Sequence, residues 1–350
     1  MTAAATPPAP SAEDYRKELV GFCYRYFGCY AEAEDAVQET MLRAWKHAGE
    51  FEGRSSMRTW LYRIATNVCL DMKRAPQRRA LPMDLGGPGS VPPDGSQLTT
   101  LPDPAWIGPI ADSYLPQPQD PAEAVLQRDS VRLALIAALQ LLPPRQRVVL
   151  ILRDVLSWSA AESAALLDMS VASVNSALAR ARRTMADNDS GSAPTQVEGD
   201  EGRDLLARYL AAFQDYDIDR MVALLSEDAT FSMPPFPLWF KGVESIRSWW
   251  DGPGRICEGS RAVPVAGNGV PGMAVYHPAG AGRYEPFAIH LLRVADGRIA
   301  ELTHFVGPQV FREFGLPDRL TDQADVHRSV PDDGLVYLSD PLNPDSKETP

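Results

Sequence analysis

The sequence predicts a multidomain protein in which two all-α units are followed by an α+β unit that contains a concave sheet. Three observations lead to this fold class. Apolar residues recur at helical spacing through residues 12–81 and again through residues 121–186. Proline and glycine are frequent between these ranges, and strand-like segments begin only after residue 200. A chain of 350 residues is long enough for about two or three cores of this kind.

Charge is distributed unevenly along the chain. The formal net charge is −12, which taken alone disfavours a protein that coats nucleic acid. Residues 54–79, however, contain seven basic residues and one acidic residue, a net charge of +6. Residues 197–350 contain 14 basic and 24 acidic residues, a net charge of −10. We therefore expect the first segment to suit phosphate contacts and the last part to repel them.

The sequence lacks the patterns that are typical of membrane-spanning, secreted and metal-binding proteins. The sequence has no run of about 18 apolar residues, and its start, MTAAATPPAP, lacks the basic and apolar parts of a secretory signal. We therefore expect a cytoplasmic protein without a membrane segment. The four cysteines form no CxxC pair and fall in apolar patterns, which predicts reduced thiols, no metal and no cofactor.

Breaks in the periodicity place the boundaries between units. Residues 82–120 are predicted to be a linker, because they are rich in proline and glycine and show little periodicity. A shorter polar linker, residues 187–199, precedes the third unit at residues 200–317. Residues 318–350 are polar and rich in breakers, which predicts a loosely ordered tail.

The first helical unit, residues 12–81, contains three apolar stripes at helical spacing. Their members are Leu19, Phe22, Cys23 and Tyr26, then Val37, Met41 and Trp45, then Leu61, Ile64, Ala65 and Val68. The helix of the second stripe has an acidic outer face. Arg43 lies four residues beyond Glu39 on that face, where an ordinary surface ion pair forms. From the spacing alone, a solvated helix face is the simplest interpretation.

The second helical unit, residues 121–186, ends in a pattern typical of a helix-turn-helix. A capping box at Ser159 to Glu162 opens a short helix, and a tight turn at Asp168 separates it from a second helix that Ser170 caps. The second helix presents small polar side chains ahead of its arginines, which suits entry into a DNA major groove. Plain helical hairpins share this spacing, so both interpretations stay open on the residues alone.

Two stretches resemble the extracytoplasmic-function sigma factors. AEDAVQETMLRAW…FEGRSSMRTWLYRIATNVCLDMKR resembles sigma region two, and LPPRQRVVLILRDVLSWSAAESAALLDMSVASVNSALARARRTM resembles sigma region four. The resemblance implies an initiation subunit that binds core RNA polymerase and the −10 and −35 elements of promoter DNA. Asp168 departs from the pattern, because many members have glycine at this turn. Aspartate tolerates the left-handed conformation, so we expect the turn to form.

The resemblance also implies roles for individual residues. Asp35, Gln38 and Glu39 would bind the largest polymerase subunit. The −10 element would be engaged by Arg54, Ser55, Ser56, Arg58, Trp60, Asn67, Asp71 and Lys73. The −35 element would be read by Ser173, Asn175, Ser176 and Arg180. Trp60 and Tyr62 are candidates for stacking on bases, although helical spacing allows Trp60 to belong to the core equally well.

The third unit begins with helical stripes and continues with strands. Asp296-Gly297 lies between two apolar β segments and is a strong hairpin signal. The segment ARYLAAFQDYDIDRMVALLSEDATFSMPPFPLWFKGVESIRSWW resembles the SnoaL-like branch of the nuclear-transport-factor-like superfamily, whose conical sheet encloses a pocket. Asp228, His290 and His304 are the polar candidates for catalysis, and no spacing joins them into an acid–base pair.

Some extracytoplasmic-function sigma factors carry the same extension, and the resemblance implies a built-in regulator without enzymatic activity. The residues that resemble its linker motif and its glycine-rich motif are Trp106, Asp251, Gly252, Gly254 and Arg255. The pocket also leaves room for an unknown small ligand. Two alternatives stay open. Catalytic polar groups in the pocket would favour a fused enzyme, and failure to bind core polymerase would favour a DNA-binding regulator of another type.

Overall fold

The computed structural model divides the chain into two compact units, and the predicted linker is shared between them. It describes residues 11–51, 55–72, 79–92, 95, 98–101, 106–188 and 200–321. The first unit is formed by residues 1–86 and 100–193, and the second by residues 87–99 and 194–350. None of the helices in the described part of the chain has the length and apolar content that crossing a bilayer requires.

Three helices open the first unit: α1 (Arg16–Phe27), α2 (Tyr30–Lys46) and α3 (Met57–Asp71). Gly28 ends α1 in the left-handed conformation, with φ at 68°, and Ser56 caps α3 by accepting from the backbone N–H of Thr59. Most residues of the predicted apolar stripes are buried among these helices, Met41 and Ile64 are half-buried, and one residue is exposed. Trp45, at the end of the second stripe, is 76% exposed, because the core covers α2 only as far as Ala44.

Part of the predicted linker belongs to the core of the first unit. Ile107, Ile110 and Leu115 are fully or almost fully buried. The backbone of Gly108 joins the turn after α1, because its N–H donates to the Gly28 carbonyl at 2.9 Å and its carbonyl accepts from the Tyr24 hydroxyl at 2.9 Å. Apolar residues in this proline- and glycine-rich segment are therefore buried although the segment forms no long helix or strand.

Five further α-helices follow in the described part of the first unit: α4 (Pro121–Asp129), α5 (Leu133–Gln140), α6 (Pro144–Leu150), α7 (Ala160–Leu167) and α8 (Val171–Asp187). A π-turn, Ile151–Val155, continues α6. The predicted capping box is present, since Ser159 and Glu162 exchange side-chain to backbone hydrogen bonds of 2.8 and 3.1 Å. Asp168 ends α7 in the left-handed conformation, with φ at 53° and ψ at 49°. The expected turn is therefore confirmed with aspartate in place of glycine.

Two buried arginines connect α1 with later helices of this unit: one with the end of α4 and the other with α6. Arg25 of α1 donates to the carbonyl and hydroxyl oxygens of Ser130, at 3.1 and 2.5 Å. Arg147 of α6 donates to the Tyr26 carbonyl at 2.6 Å and to the side chain of Gln140 at 2.9 Å. Neither arginine is paired with a carboxylate in these contacts. Burial lowers the pKa of Arg25 to about 10, so these bonds offset a desolvation cost.

The second unit is mainly a mixed sheet with helices. Its helices are α9 (Asp200–Gln214), α10 (Ile218–Ala223), α11 (Val243–Asp251) and α12 (Pro308–Glu313). Its strands are β1 (Leu225–Ser232), β2 (Trp239–Lys241), β3 (Arg261–Gly267), β4 (Val270–Pro278), β5 (Arg283–Ala295), β6 (Arg298–Val306) and β7 (Leu320–Thr321). Within the described residues these strands form one sheet in the order β2-β1-β6-β5-β4-β3, with β7 beside β5. The pairs are antiparallel except β1 with β6.

The predicted hairpin joins β5 to β6. Asp296 and Gly297 both have positive φ angles, 50° and 69°, as a tight two-residue turn requires. A bulge between Arg293 and Val294 shifts the register of this hairpin by one residue. The shift decides which side chains of β5 and β6 stand opposite each other further from the turn.

A second part of the predicted linker packs on this sheet unit. The backbone N–H of Gly89 donates to the Trp239 carbonyl on edge strand β2, at 2.8 Å. Val91 and Leu98 pack against the apolar core of the unit. Gly89, Val91 and Leu98 thus contact the C-terminal sheet unit, although the sequence places them between the two helical units.

Candidate nucleic-acid interface, polymerase face and ligand cavity

Helix α8 has one buried and one exposed face. Val174, Ala177, Leu178 and Ala181 are buried against the neighbouring helices. The predicted −35 residues, Ser173, Asn175, Ser176 and Arg180, are all exposed on the other face. The hydroxyls of Ser173 and Ser170 lie 2.8 Å apart at the cap, which partly engages Ser173. The structure therefore brings the four residues together on the surface that a groove-reading helix needs.

The next arginine along α8 has a structural contact. Arg182 donates to both carboxylate oxygens of Asp154, at 2.7 and 2.9 Å. This side-chain hydrogen bond raises the pKa of Arg182. The bidentate pair joins α8 to the π-helical turn after α6, so Arg182 helps to position the helix.

Apart from Trp60, the predicted −10 residues fall into three groups, and Asp71 belongs with Arg58 in the third because it pairs with Arg43 at 3.3 Å. Arg54 and Lys73 lie outside the described residues. Ser55, Ser56 and Asn67 are exposed at the start and along one side of α3. Arg58 is engaged, because it forms a 2.7 Å ion pair with Glu18 and its guanidinium lies over the Trp158 ring.

Trp60 and Tyr62 differ in exposure. Tyr62 is 1% exposed and its ring contacts those of Phe22 and Trp158. The expectation that it stacks on bases is therefore wrong in this conformation, because its ring is part of the core. Trp60 is half-buried, with its ring centroid 5.1 Å from that of Phe51. It lines an open pocket of about 200 Å³ together with Asn67, and it remains a candidate for stacking.

The acidic face of α2 is only partly free of internal pairing. Asp35 and Gln38 are exposed, and Glu39 is half-buried. Arg43 pairs with Glu39 at 2.7 Å and with Asp71 at 3.3 Å. A cation thus neutralises part of the face next to Glu39, whereas Asp35 presents its carboxylate to solvent. The helix-surface pair predicted between Glu39 and Arg43 is confirmed.

The predicted regulatory residues belong to different compact units. Trp106 is buried in the first unit, where its carbonyl accepts from Arg79 at 2.8 Å. The glycine-rich segment belongs to the second unit and forms a short 3₁₀ helix, Pro253–Cys257, after α11. Gly254 is buried there. A Cβ at this position would lie 2.8 Å from the carbonyl oxygen of Trp249, so the close approach requires glycine.

Charged residues around the 3₁₀ helix contact one another at the surface. Asp251, Gly252 and Arg255 are exposed. Arg255 donates to the Asp251 carbonyl at 3.2 Å and to the Glu258 carboxylate at 3.2 Å. Polar contacts within the segment therefore stabilise its conformation, while its charged side chains stay exposed to solvent.

A small cavity lies in the second unit beneath this 3₁₀ helix. His290 of β5 and His304 of β6 form part of its lining, and their rings stack at 3.3 Å with 4° between their planes. Burial lowers the pKa of His304 to about 3 and that of His290 well below its ordinary value, so both rings are neutral. Asp228 is exposed on β1 and does not line the cavity. The structure therefore joins the two histidines and leaves the third catalytic candidate apart from them.

Three family profiles match the chain in the order of these features. They are Sigma-70 region 2 at residues 12–79, Sigma-70, region 4 at residues 132–185, and SnoaL-like domain at residues 206–302. The chain is 44% identical over 315 residues to the ECF RNA polymerase sigma factor SigG of Mycobacterium tuberculosis, covering 88% of this chain and 83% of that relative. It is 30% identical over 223 residues to the ECF RNA polymerase sigma factor SigJ of the same organism, covering 63% of this chain and 62% of the relative.

A solved structure shares the fold. The crystal structure of the Mycobacterium tuberculosis extracytoplasmic function sigma factor SigJ matches with a TM-score of 0.55 and 23% identity, covering 87% of this chain and 98% of that chain. The helical units and the exposed α8 define a sigma-70-type initiation factor with a helix-turn-helix DNA-binding domain. The chain belongs to the extracytoplasmic-function (ECF) RNA polymerase sigma factors and carries a SnoaL-like domain after region four.

Both alternatives left open by the sequence are now disfavoured. The relatives are named RNA polymerase sigma factors, which are initiation subunits and not enzymes. Among the described residues the structure also leaves Asp228 exposed and away from the two neutral histidines of the cavity, so it does not bring the three catalytic candidates together. A DNA-binding regulator that acts without polymerase does not match these relatives either.

Proposed function

We propose that this sigma factor reads the −35 element through Ser173, Asn175, Ser176 and Arg180 of α8. The proposal rests on the exposed polar face of this helix, opposite the buried face that anchors it. Asn175 and Ser176 supply hydrogen-bonding groups for base edges, and Arg180 supplies a cation for a base or a phosphate. Such work requires core RNA polymerase, so the protein acts in the cytoplasm.

The −10 element is engaged by the start and outer side of α3. Ser55, Ser56 and Asn67 are exposed there, and Trp60 lines the adjoining open pocket. Flipping a base out of the duplex costs a few kcal/mol, so a pocket beside an aromatic ring offsets part of that cost. Arg58 contacts the −10 element after its ion pair with Glu18 breaks. Arg54, Asp71 and Lys73 are the remaining residues that engage this element. Core polymerase binds the face formed by Asp35, Gln38 and Glu39.

The C-terminal domain regulates initiation by holding the middle of the linker. Val91 and Leu98 are packed against its apolar core, and Gly89 bonds to its edge strand. Region two and region four are joined through this segment, so its attachment shortens the chain available for their separation on a promoter. Trp106 and the segment containing Asp251, Gly252, Gly254 and Arg255 are the further regulatory positions.

Promoter readout is tested by transcription of a randomised promoter library with core polymerase. Asn175→Ala should relax preference at one −35 position and cost about 1–3 kcal/mol there, whereas Arg180→Ala, if the arginine binds a phosphate, should weaken all sequences alike. Asn188→Ala, just beyond the end of α8, is the matched control and should leave the preference unchanged. Unchanged preference together with unchanged overall transcription in both test variants would overturn the assignment of α8.

Regulation is tested by releasing the linker without truncating the chain. Val91 and Leu98 are partly buried, so Val91→Asp and Leu98→Asp place a carboxylate against the apolar core and disfavour attachment of the segment. Ser90→Asp adds the same charge at an exposed position and is the control. We expect the first two variants to change transcription from the cognate promoter while promoter choice stays the same. Activity equal to that of Ser90→Asp in both would contradict the regulatory role.

A further inference from the structure

The segments that match sigma region two and sigma region four contact each other within the first unit. Arg63 of α3 donates to the carbonyl oxygen of Ala165 in α7 at 2.9 Å. At the other end of the interface, Arg147 of α6 donates to the carbonyl oxygen of Tyr26 in α1 at 2.6 Å. Two regions that belong on different promoter elements therefore share an interface in this structure.

Trp158 covers part of α3 in this interface. It lies in the loop before α7 and is 6% exposed. Its ring centroid is 5.2 Å from that of Tyr62, and the guanidinium of Arg58 lies 5.5 Å from the Trp158 ring and 5.2 Å from the Tyr62 ring. Arg58 is a predicted −10 residue, and Tyr62 is a sequence candidate for stacking on bases. Region four thus covers two residues that the sequence predicts for the −10 element.

The arrangement in which α7 contacts α3, here called the closed arrangement, is too short to span a promoter. Positions −10 and −35 are about 25 base pairs apart, which is roughly 85 Å along a straight duplex. Helix α8 has 17 residues and is about 25 Å long, and it packs on α7. While α7 contacts α3, therefore, α3 and α8 cannot reach both elements at once.

The interface also leaves buried polar atoms unpaired. The Nε1 atom of Trp158 and the Nε atom of Arg147 are buried and have no hydrogen-bond partner among the described residues. Burial lowers the pKa of Arg147 as well, because the charged group has lost water. Unpaired buried polar atoms cost free energy, and separation of the two regions gives both side chains access to water. The interface is therefore suited to reversible opening.

We propose that the free protein is closed, with Trp158 of region four masking Arg58 and Tyr62 of α3, and that promoter binding requires this contact to break. Both sides of the contact belong to the sigma regions, so this control differs from the proposed attachment of the linker to the C-terminal domain. Separation frees Arg58 from the two rings before its proposed contact with the −10 element. Only the promoter step rests on the proposed function.

Opening is measured by single-molecule energy transfer between two fluorophores on the full-length protein, without polymerase or DNA. The fluorophores are attached through non-natural side chains at the exposed positions Lys17 of α1 and Asp187 of α8. Trp158→Ala should raise the low-transfer population at least about ten-fold, because truncation of a buried tryptophan weakens packing by more than this factor. Trp45→Ala removes a tryptophan that is 76% exposed and should change nothing. Equal populations in the parent and Trp158→Ala would overturn the masking role.

A variant in region two excludes misfolding of region four as the cause. Arg63 is exposed, and Arg63→Asp replaces its hydrogen bond to Ala165 with repulsion of the carbonyl oxygen. The low-transfer population should rise about five-fold, the worth of one hydrogen bond. Arg128→Asp makes the same charge change at an exposed position on α4 and is the control. No rise in Arg63→Asp, or an equal rise in Arg128→Asp, would contradict the contact between α3 and α7.

The promoter step is tested with the same labelled protein bound to core polymerase and promoter DNA. We expect the high-transfer population to disappear in this complex. High transfer that persists in a complex that makes transcripts would overturn the opening step. A complex that makes no transcripts would contradict the proposed function instead, because the closed state of the free protein is measured separately.

Discussion

Acidification should destabilise the C-terminal domain through its buried histidines. Burial lowers the pKa of His304 to about 3 and that of His290 well below its ordinary value, the latter also through the neighbouring His304 and His277. An unfolded histidine binds a proton near pH 6.5. Between that pH and the lower folded pKa, the unfolded state binds more protons than the folded state. The free energy of unfolding therefore falls as the pH falls below about 6.5.

The size of the effect follows from the pKa of His304. At pH 5 the solvent is about 1.5 units below the unfolded pKa, and each unit is worth about 1.4 kcal/mol, so His304 alone removes about 2 kcal/mol. His290 acts in the same direction. Burial also lowers the pKa of His277, to about 4, but this side chain is partly exposed and solvent screening reduces its contribution. Against a domain stability of about 5–15 kcal/mol, the loss is readily measured.

The assay is urea unfolding at pH 7 and pH 5. Unfolding is monitored by hydrogen exchange of peptides from β5 and β6, so that only the stability of the sheet unit is measured. A double variant, His290→Leu with His304→Leu, is the control and should lose most of the difference between the two pH values. An equal loss of stability in the parent and in the double variant would refute the reasoning. So would ring-proton NMR signals of His290 and His304 that titrate near pH 6.5.

Two further predictions concern the first unit. Asp35→Arg should weaken binding to core polymerase about ten-fold, because it reverses the charge on the face that we propose binds the polymerase. Lys17→Glu, at an exposed position on α1, is the control for changed surface charge, and equal affinities of the parent and Asp35→Arg would contradict the assignment of this face. Asp168→Gly should raise the free energy of unfolding by about 0.5–1 kcal/mol, because glycine has no steric penalty at φ 53°; a lower denaturation midpoint would show that the aspartate stabilises the turn.

The helix-turn-helix could be predicted from the sequence because its signals are local. The capping box at Ser159, the turn at Asp168 and the cap at Ser170 each depend on residues within four positions. The acidic face of α2 was equally visible, and so was its pair between Glu39 and Arg43. Short-range hydrogen bonding and helical spacing determine all of these features.

The histidine pair could not be predicted, because it depends on a register shift. Counting outward from the turn at Asp296-Gly297 places His290 opposite Thr303. The bulge at Arg293 moves the register by one residue and places His304 there instead, which brings both histidines to one face. Nothing in the spacing of the two segments signals that bulge.

The linker was the other feature that the sequence could not resolve. Prolines and glycines predicted a single spacer at residues 82–120, yet Ile107 is fully buried in the first unit and Val91 packs in the second. When apolar residues show no helical or strand periodicity, the neighbouring sequence does not indicate which unit they pack against. Tertiary contacts decide their place, as they do for the buried Tyr62 and the exposed Trp45.

The most direct test of the sigma-factor role is sequencing of transcripts made in vitro from genomic DNA by core polymerase with and without this protein. We predict that the protein yields a distinct set of start sites that share one −35 and one −10 sequence, and that Asn175→Ala alters the first of these sequences. Start sites that are the same with and without the protein would contradict promoter-specific initiation by this chain.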